Sequence, residues 1–298
     1  MNLVLPVTTL WWREMVRFGR QRSRVVGALG QPLVLWLFLG AGLSASFRPP
    51  GTPEGTGYLE YFYPGIMVLV VLFTAIFATI STVEDRREGF LQGVLVAPVT
   101  RATIVLGQAL GGTTLALVQA LLLLLLAPVA GIALTLSSAV SVAAVTFLLA
   151  FGLTSLGLLI AWRMDSTQGF HAIMNLILIP MWLLSGAFFP GSGLPLWLVW
   201  VIRLNPLTYG VAALRRCLYL PGPAFAGELP PLAASLSITV GFAVLAYLGA
   251  VWMARRRQCR TLGGGLRPPS EASPRGGARA KPALELGGVT VLARFSIR

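Results

Sequence analysis

The chain has 298 residues, 56% of them hydrophobic and only 11% charged, with a mean hydropathy of +0.78, against roughly 25% charged residues in a typical soluble domain. Those values exclude an ordinary cytosolic globular protein, a disordered chain and a fibrous one. The net charge of +13, from 23 basic and 10 acidic residues, sits at the ends of long apolar runs, so it reads as membrane topology and not as the basic face of a nucleic-acid-binding domain.

Residues 1–24 form the first unit. Arg13, Arg17, Arg20 and Arg24 recur at helical spacing on one face, and Trp11, Met15 and Phe18 on another, with Trp12 at its flank. Two readings fit. One is an amphipathic helix in the membrane interface, aromatics at headgroup depth and arginines toward anionic phosphates. The other is a positively charged anchor alone. Five arginines ahead of a full-length apolar run do not match a cleavable signal peptide. That run is expected to be retained as a span.

The second unit, residues 25–257, holds the spans. About 20 apolar residues cross the hydrocarbon core as helix. Val25 to Phe47 and Tyr61 to Val83 are uncharged stretches of 23 residues each, giving spans one and two. The Gly- and Pro-rich piece between them (Pro49, Pro50, Gly51, Pro53) reads as a connector. Ala102 to Trp162 is 61 residues without a charge, roughly 90 Å of helix at 1.5 Å per residue, so it must fold back. Pro128, Gly131 and Ser137-Ser138 mark the turn and predict spans near 102–127 and 139–162. The Leu121–Leu126 run is expected to face lipid. Gly111-Gly112, Gly152 and Gly157 read as close-packing positions between helices. Span five is predicted near 169–189 and span six near 232–254.

Between spans five and six lies apolar material cut by Asn205-Pro206 into pieces too short to cross. It predicts a re-entrant or surface-lying helical hairpin, involving Phe189, Pro190, Pro195, Trp197, Asn205, Pro206 and Tyr209. Arg203 is the basic residue in the most apolar context of this segment. Six spans with the N-terminus inside put 19 of the 23 basic residues on the cytoplasmic side, as the positive-inside bias requires. Both termini are then cytoplasmic, with Cys217 outside and Cys259 inside. The third unit, residues 258–298, is basic and rich in Gly, Pro, Arg and Ala, and reads as disordered. A short strand at Val289–Ile297 and binding to anionic lipid are the only features it suggests.

Several chemistries lack their residues. One histidine and two distant cysteines assemble no metal or haem site. The only lysine, Lys281, lies in no phosphate-binding loop. All ten acidic residues fall outside the spans or at their edges, whereas ion-coupled carriers usually need ionisable groups in the membrane. His171, near the start of span five, fits either a proton relay or helix packing.

The loop from Glu84 to Arg101 is the most informative segment. It begins with mixed charges (Glu84, Asp85, Arg86, Arg87, Glu88), continues with Phe90, Leu91, Val94 and Leu95 on one helical stripe, and ends at Pro98, with Thr100 placed to cap the next helix. A short helix of this kind suits docking in a partner's groove; a solvated loop with an interfacial turn is the other reading.

That loop, running on into Ile104-Val105-Leu106-Gly107-Gln108, resembles the loop between spans two and three of ABC-2 type transporter permeases, the membrane subunits typified by daunorubicin-resistance and by nodulation or capsular-polysaccharide exporters. Leu184-Ser185-Gly186-Ala187-Phe188-Phe189-Pro190, then Leu194-Pro195 and Trp197, is a second match. Leu204-Asn205-Pro206-Leu207-Thr208-Tyr209-Gly210, running to Arg215, is a third. The resemblance covers roughly residues 8 to 257.

The resemblance implies an all-α integral membrane fold of six transmembrane helices, with an N-terminal interface helix (Trp11, Trp12, Arg13, Arg17), a cytoplasmic coupling helix and an external re-entrant hairpin. It implies a non-catalytic permease subunit in the cytoplasmic (inner) membrane. A second permease copy, identical or not, would pair with it, and each would dock a separate ATP-binding subunit that carries the ATP and magnesium. Glu84, Asp85, Arg86, Arg87, Glu88, Phe90, Leu91 and Arg101 would make the ATPase-coupling surface. The substrate, an amphiphilic or hydrophobic compound, lipid or glycan, would pass out between the permeases along spans one, two and five. The alternatives are an ion-coupled carrier and a membrane enzyme or scaffold.

Overall fold

A helix that is apolar all round has no face to turn to water and packs in the interior. The stretch around Tyr61–Val83 is such a segment, and it lies at the centre of the fold. The computed structural model describes residues 4–43, 57–96, 99–188, 195–219 and 230–264, and all regular structure in them is helical. The helices are α1 (Val4–Arg20), α2 (Arg22–Leu43), α3 (Tyr58–Arg87), α4 (Phe90–Val96), α5 (Arg101–Leu124), α6 (Leu136–Ala161), α7 (Thr167–Trp182), α8 (Leu196–Leu204), α9 (Pro206–Leu218) and α10 (Leu232–Gly264). Six segments are long and apolar enough to cross a membrane: Val26–Leu43, Tyr58–Arg87, Arg101–Leu124, Leu136–Ala161, Thr167–Ala187 and Leu232–Arg256.

The turn between α5 and α6 falls where Pro128 and Gly131 place it. A 3₁₀ turn over Ala127–Ala130 closes on Gly131, whose φ of 85° suits a residue without Cβ. Thr135 then caps α6, accepting from the Ser138 amide while Ser138 Oγ accepts from the Thr135 amide. Thr100 caps α5 as expected, its hydroxyl accepting from the Thr103 amide.

The α3 window is 89% buried, against 22% for α2 and 33% for α7. Helices α2, α5, α6 and α7 surround it. Tyr63 donates to the Leu123 carbonyl of α5 at 2.6 Å, and Trp182 Nε1 of α7 donates to the Gly65 carbonyl at 2.8 Å. Small residues set the close approaches. A Cβ on Gly112 would come within 2.6 Å of Thr154 Cγ2, and one on Gly157 within 2.6 Å of Thr79 Oγ1. Lipid supplies little hydrophobic drive between spans, so such van der Waals contact and interhelical bonds hold them together. These glycines are packing positions, as the sequence suggests.

The Leu121–Leu126 run turns only partly outward: Leu121, Leu122, Leu125 and Leu126 are exposed, while Leu123 and Leu124 are buried. Three further differences concern boundaries. The charged residues Glu84 to Arg87 are the last turn of α3 and not a loop, because nothing breaks the helix before Gly89, which takes φ 78°. The first two helices part at Gln21, ahead of Arg22 and Arg24, not after them. The last helix runs to Gly264, so residues 258–264 are helical where the sequence predicts the start of a disordered tail. Residues 265–298, including the expected strand at Val289–Ile297, lie outside the described residues.

The chain presents two unlike ends. At one, α4, the arginines of α1 and the last turns of α10 gather; Tyr247 of α10 donates to the Ala102 carbonyl at the start of α5. At the other, α8 and α9 form a hairpin bent by 77° at Asn205.

Candidate functional site

The α4 end is assembled around a carboxylate. Asp85 is fully buried at the close of α3. Arg13 and Arg17, one helical turn apart on α1, both reach it: Arg13 donates from both terminal nitrogens, the Nη1 bond being 2.7 Å, and Arg17 donates from Nη1 at 2.5 Å. Arg17 also donates to Glu84 at 2.6 Å. Charge-assisted forks of this kind fix geometry as well as adding energy. The two arginines thus point into the protein. Where one reading of the sequence turned them toward lipid phosphates, their partners here are the carboxylates of Asp85 and Glu84 at the end of α3.

Helix α1 crosses the first half of α5. A Cβ on Gly107 would meet Leu10 Cβ at 2.9 Å, and one on Gly111 would meet Glu14 Cβ at 2.8 Å. Trp11 Nε1 donates to Thr114 at 3.0 Å, while Trp12 is 61% exposed on the outer face. Sequence reasoning passed over Glu14 as an edge residue, yet it is 4% exposed and accepts from Ser81 Oγ at 2.9 Å. Burial holds its carboxyl above the ordinary range, and the Asp85 charge adds to that; the Ser81 bond and the two arginines pull the other way. The signal available was Glu14 at +4 from Leu10 on the stripe that meets α5.

The coupling residues separate into two groups. Leu91 is 1% exposed and packs in an apolar cluster with Val105, Leu158, Trp162 and Ala250. Asp85 is likewise interior. Neither side chain is exposed on this chain, so in place of the outward face expected of a docking surface each is an inward anchor of the α3–α4 joint. Arg86 donates to the Trp162 carbonyl at 2.8 Å and lies 3.4 Å from Asp165, tying α3 to the end of α6. Arg101 is half-buried at the start of α5. The outward group is Arg87, Glu88 and Phe90. Phe90 is 43% exposed, and the Arg13 guanidinium covers one ring face at 3.9 Å, a cation–π contact. Pro98 lies outside the described residues.

At the far end, Phe189 and Pro190 lie outside the described residues. Pro195 precedes α8, which buries no residue; Trp197 is 67% exposed. Asn205 makes the bend. Its Oδ1 accepts from the Leu207 amide to cap α9, its Nδ2 donates to the Met181 carbonyl at 2.6 Å, and Pro206 opens α9. Tyr209 donates back to the Arg203 carbonyl at 2.9 Å. Arg203 itself is exposed. The basic residue held in an apolar setting is Arg215, 5% exposed, its guanidinium 4.4 Å over the Tyr61 ring and donating weakly to the Tyr61 and Gly186 carbonyls. The sequence carried a signal for it: Leu207, Val211, Leu214 and Leu218 mark the buried stripe of α9, and Arg215 is at +4 from Val211. Cys217 is buried as well, so its side chain meets neither aqueous side.

Residues 6–219 match the ABC-2 type transporter family. The chain belongs to that family. Its six apolar helices fit a multi-pass membrane protein, and the matched region takes in α1, the α3–α4 joint and the α8–α9 hairpin. Among curated proteins, the one named "Putative transport permease ycf38" from Cyanophora paradoxa is 33% identical over 100 residues. That alignment spans 33% of this chain and 33% of the relative.

Proposed function

We propose that this permease is the membrane-spanning subunit of an ATP-driven exporter and that a separate ATP-binding subunit docks on Arg87, Glu88 and Phe90. One observation carries the reading: α4 is a short helix pinned inward by Leu91 while the neighbouring Phe90 is held outward beneath Arg13. A ring offered to a partner on an anchored helix is a means of passing force into the bundle. The anchors lead to four helices: Arg13 and Arg17 to α1, Arg86 to α6, and Leu91 to the cluster of α5, α6 and α10.

In this reading ATP and magnesium belong to the partner, and this chain contributes no catalytic residue. A second permease, identical or not, completes the path, and the cargo is an amphiphilic or hydrophobic compound, lipid or glycan leaving the cytoplasm. In this reading the α4 end faces the cytoplasm of the inner membrane, with both termini on that side, as the arginine bias favours. The α8–α9 hairpin then closes the outer end. The path expected along spans one, two and five draws on α3 only sparingly, since α3 is enclosed by its neighbours; α2 and α7 carry the open faces. An ion-coupled carrier would use a buried acid, and Glu14 and Asp85 are buried. Both, however, adjoin the arginines of α1, an arrangement suited to a latch.

Purification of the tagged chain from its native host in mild detergent tests the reading. An ATP-binding subunit is expected with the unaltered chain and is expected to be lost with Phe90→Ala and Arg87→Ala, while membrane insertion persists. A partner retained by both variants would refute docking at this surface.

A further inference from the structure

Tryptophan on a membrane helix settles where hydrocarbon gives way to headgroups, and arginine beyond it reaches for phosphate. Helix α10 brings the two together on its outer face. Val244, Leu245, Leu248 and Trp252 are exposed there. The stripe continues at +3 and +4 from Trp252 into Arg255 and Arg256, both exposed. The Arg256 guanidinium lies 3.8 Å over the Trp252 ring, a cation–π contact that orients its fork. Trp252 itself stays 49% exposed.

Depth follows from helix length. Helix α10 opens at Leu232, directly after Pro230-Pro231, and Trp252 stands 20 positions further on. At 1.5 Å per residue that is roughly 30 Å, the thickness of the hydrocarbon core. The apolar stripe thus ends at the tryptophan, and the two arginines occupy the next turn, at phosphate level. Charge separates this turn from the other basic positions. Ion pairs among the described residues engage Arg13, Arg17 and Arg86, and Arg255 and Arg256 take no part in them. No acidic residue stands anywhere from Leu229 to Ser270. On the inner face of the same turns, Ala250, Val251 and Ala254 pack in the cluster that holds Leu91 of α4.

We propose that Trp252, Arg255 and Arg256 form a site for one anionic glycerophospholipid, its phosphate held by the two guanidinium groups and an acyl chain lying along Leu248, Leu245 and Val244. The chemistry of the site sets the class. Guanidinium forks match phosphate oxygens two at a time, which an ammonium group does not. A zwitterionic lipid would bring its own cation to a turn that has no carboxylate to receive it. The bound lipid fixes the outer face of α10, and the inner face of that turn is the wall against which Leu91 anchors α4. The site stands on α10 alone and goes beyond the exporter reading, since it is present whether or not an ATP-binding subunit docks.

The test titrates phosphatidylglycerol, and separately phosphatidylcholine, onto the full chain in zwitterionic detergent, with bound lipid read by native mass spectrometry. The unaltered chain is expected to hold phosphatidylglycerol about tenfold or more tighter than phosphatidylcholine. The Arg255→Gln, Arg256→Gln double variant is expected to lose that preference. Arg20→Gln removes an exposed arginine from α1 and should leave it within about twofold. The Arg255→Lys, Arg256→Lys variant keeps the charge that sets topology, and is expected to bind several-fold more weakly than the parent. Binding by the lysine pair equal to the parent's, or a loss with Arg20→Gln as large as with the double variant, would overturn the site in favour of diffuse attraction. Glycerol 3-phosphate displacing the lipid at equal concentration would overturn it in favour of a soluble anion. Disulfide linkage of Trp252→Cys between two copies in native membranes would overturn it in favour of a protein contact. Phosphatidylglycerol should also raise the thermal midpoint of the parent and not that of the glutamine pair, the two proteins starting level in detergent alone; equal rises would refute the site.

Discussion

Replacing Asp85 by alanine removes the acceptor that joins α1 to α3. The side chain is 0% exposed, while those of Arg13 and Arg17 are 28% and 20% exposed. Breaking a buried ion pair from one side costs about 3–5 kcal/mol, mostly through the charge left behind. Here the remaining charges can turn partly to water, and Arg17 keeps Glu84 at 2.6 Å, which places the expected loss at the lower end, about 3 kcal/mol. Arg13→Ala leaves Asp85 with Arg17 and forfeits the contact with Phe90, itself about 0.5–1 kcal/mol at an exposed site; about 2 kcal/mol is expected in all. The double variant should fall short of the sum by about 1–2 kcal/mol, as for residues in one network. Equilibrium unfolding in mixed micelles with increasing sodium dodecyl sulfate, run on the four proteins of the cycle, measures each term. An Asp85→Ala protein within about 0.5 kcal/mol of the parent, or an additive cycle, would refute the latch.

Three further outcomes are expected. Glu14→Gln keeps an acceptor for Ser81 and removes a buried charge. Because the folded carboxyl lies above its ordinary value of 4.5, its contribution to stability is complete below that value and is lost as pH rises through the folded one. The unaltered chain should therefore lose ground to Glu14→Gln as pH rises from mildly acidic to alkaline; thermal midpoints across that range check the sign, and parallel curves would contradict it. Gly157→Val forces atoms to within 2.6 Å of Thr79 Oγ1 and should cost about 1–3 kcal/mol by overpacking, read as a lowered unfolding midpoint that a Thr79→Ala partner change partly restores. Cys217 is 3% exposed, so an impermeant thiol reagent should leave it unmodified from either side of the membrane until the protein is denatured; labelling of the folded chain at Cys217 would place α9 wrongly.

Much of the outline was legible in one dimension. Pro128 and Gly131 turn the chain between α5 and α6, Thr100 caps α5, and Asn205-Pro206 breaks the hairpin, all by local backbone chemistry. The differences share a cause. Whether Arg13 and Arg17 meet headgroups or carboxylates, whether Leu91 turns outward, and whether Arg203 or Arg215 is enclosed all depend on the direction in which a side chain points. Helical spacing tells which residues share a face; it does not tell what that face meets. Glu14 was missed for the same reason, since a carboxyl at the edge of a span is costly to bury unless a neighbouring helix brings a hydroxyl and arginines to it.

The number of spans, their breaks and the bias of charge toward one side were determined by the sequence itself, because hydrocarbon thickness and the missing amide hydrogen of proline act on any chain whatever its neighbours. Tertiary structure alone decided that Asp85 and Leu91 are anchors while Phe90 faces out, that Arg215 and not Arg203 is enclosed, and that α3 lies within the bundle while one flank of α7 stays open. Those outcomes depend on which helix packs against which, and at what azimuth, and such contacts join residues far apart in the chain, 154 positions in the case of Arg215 and Tyr61.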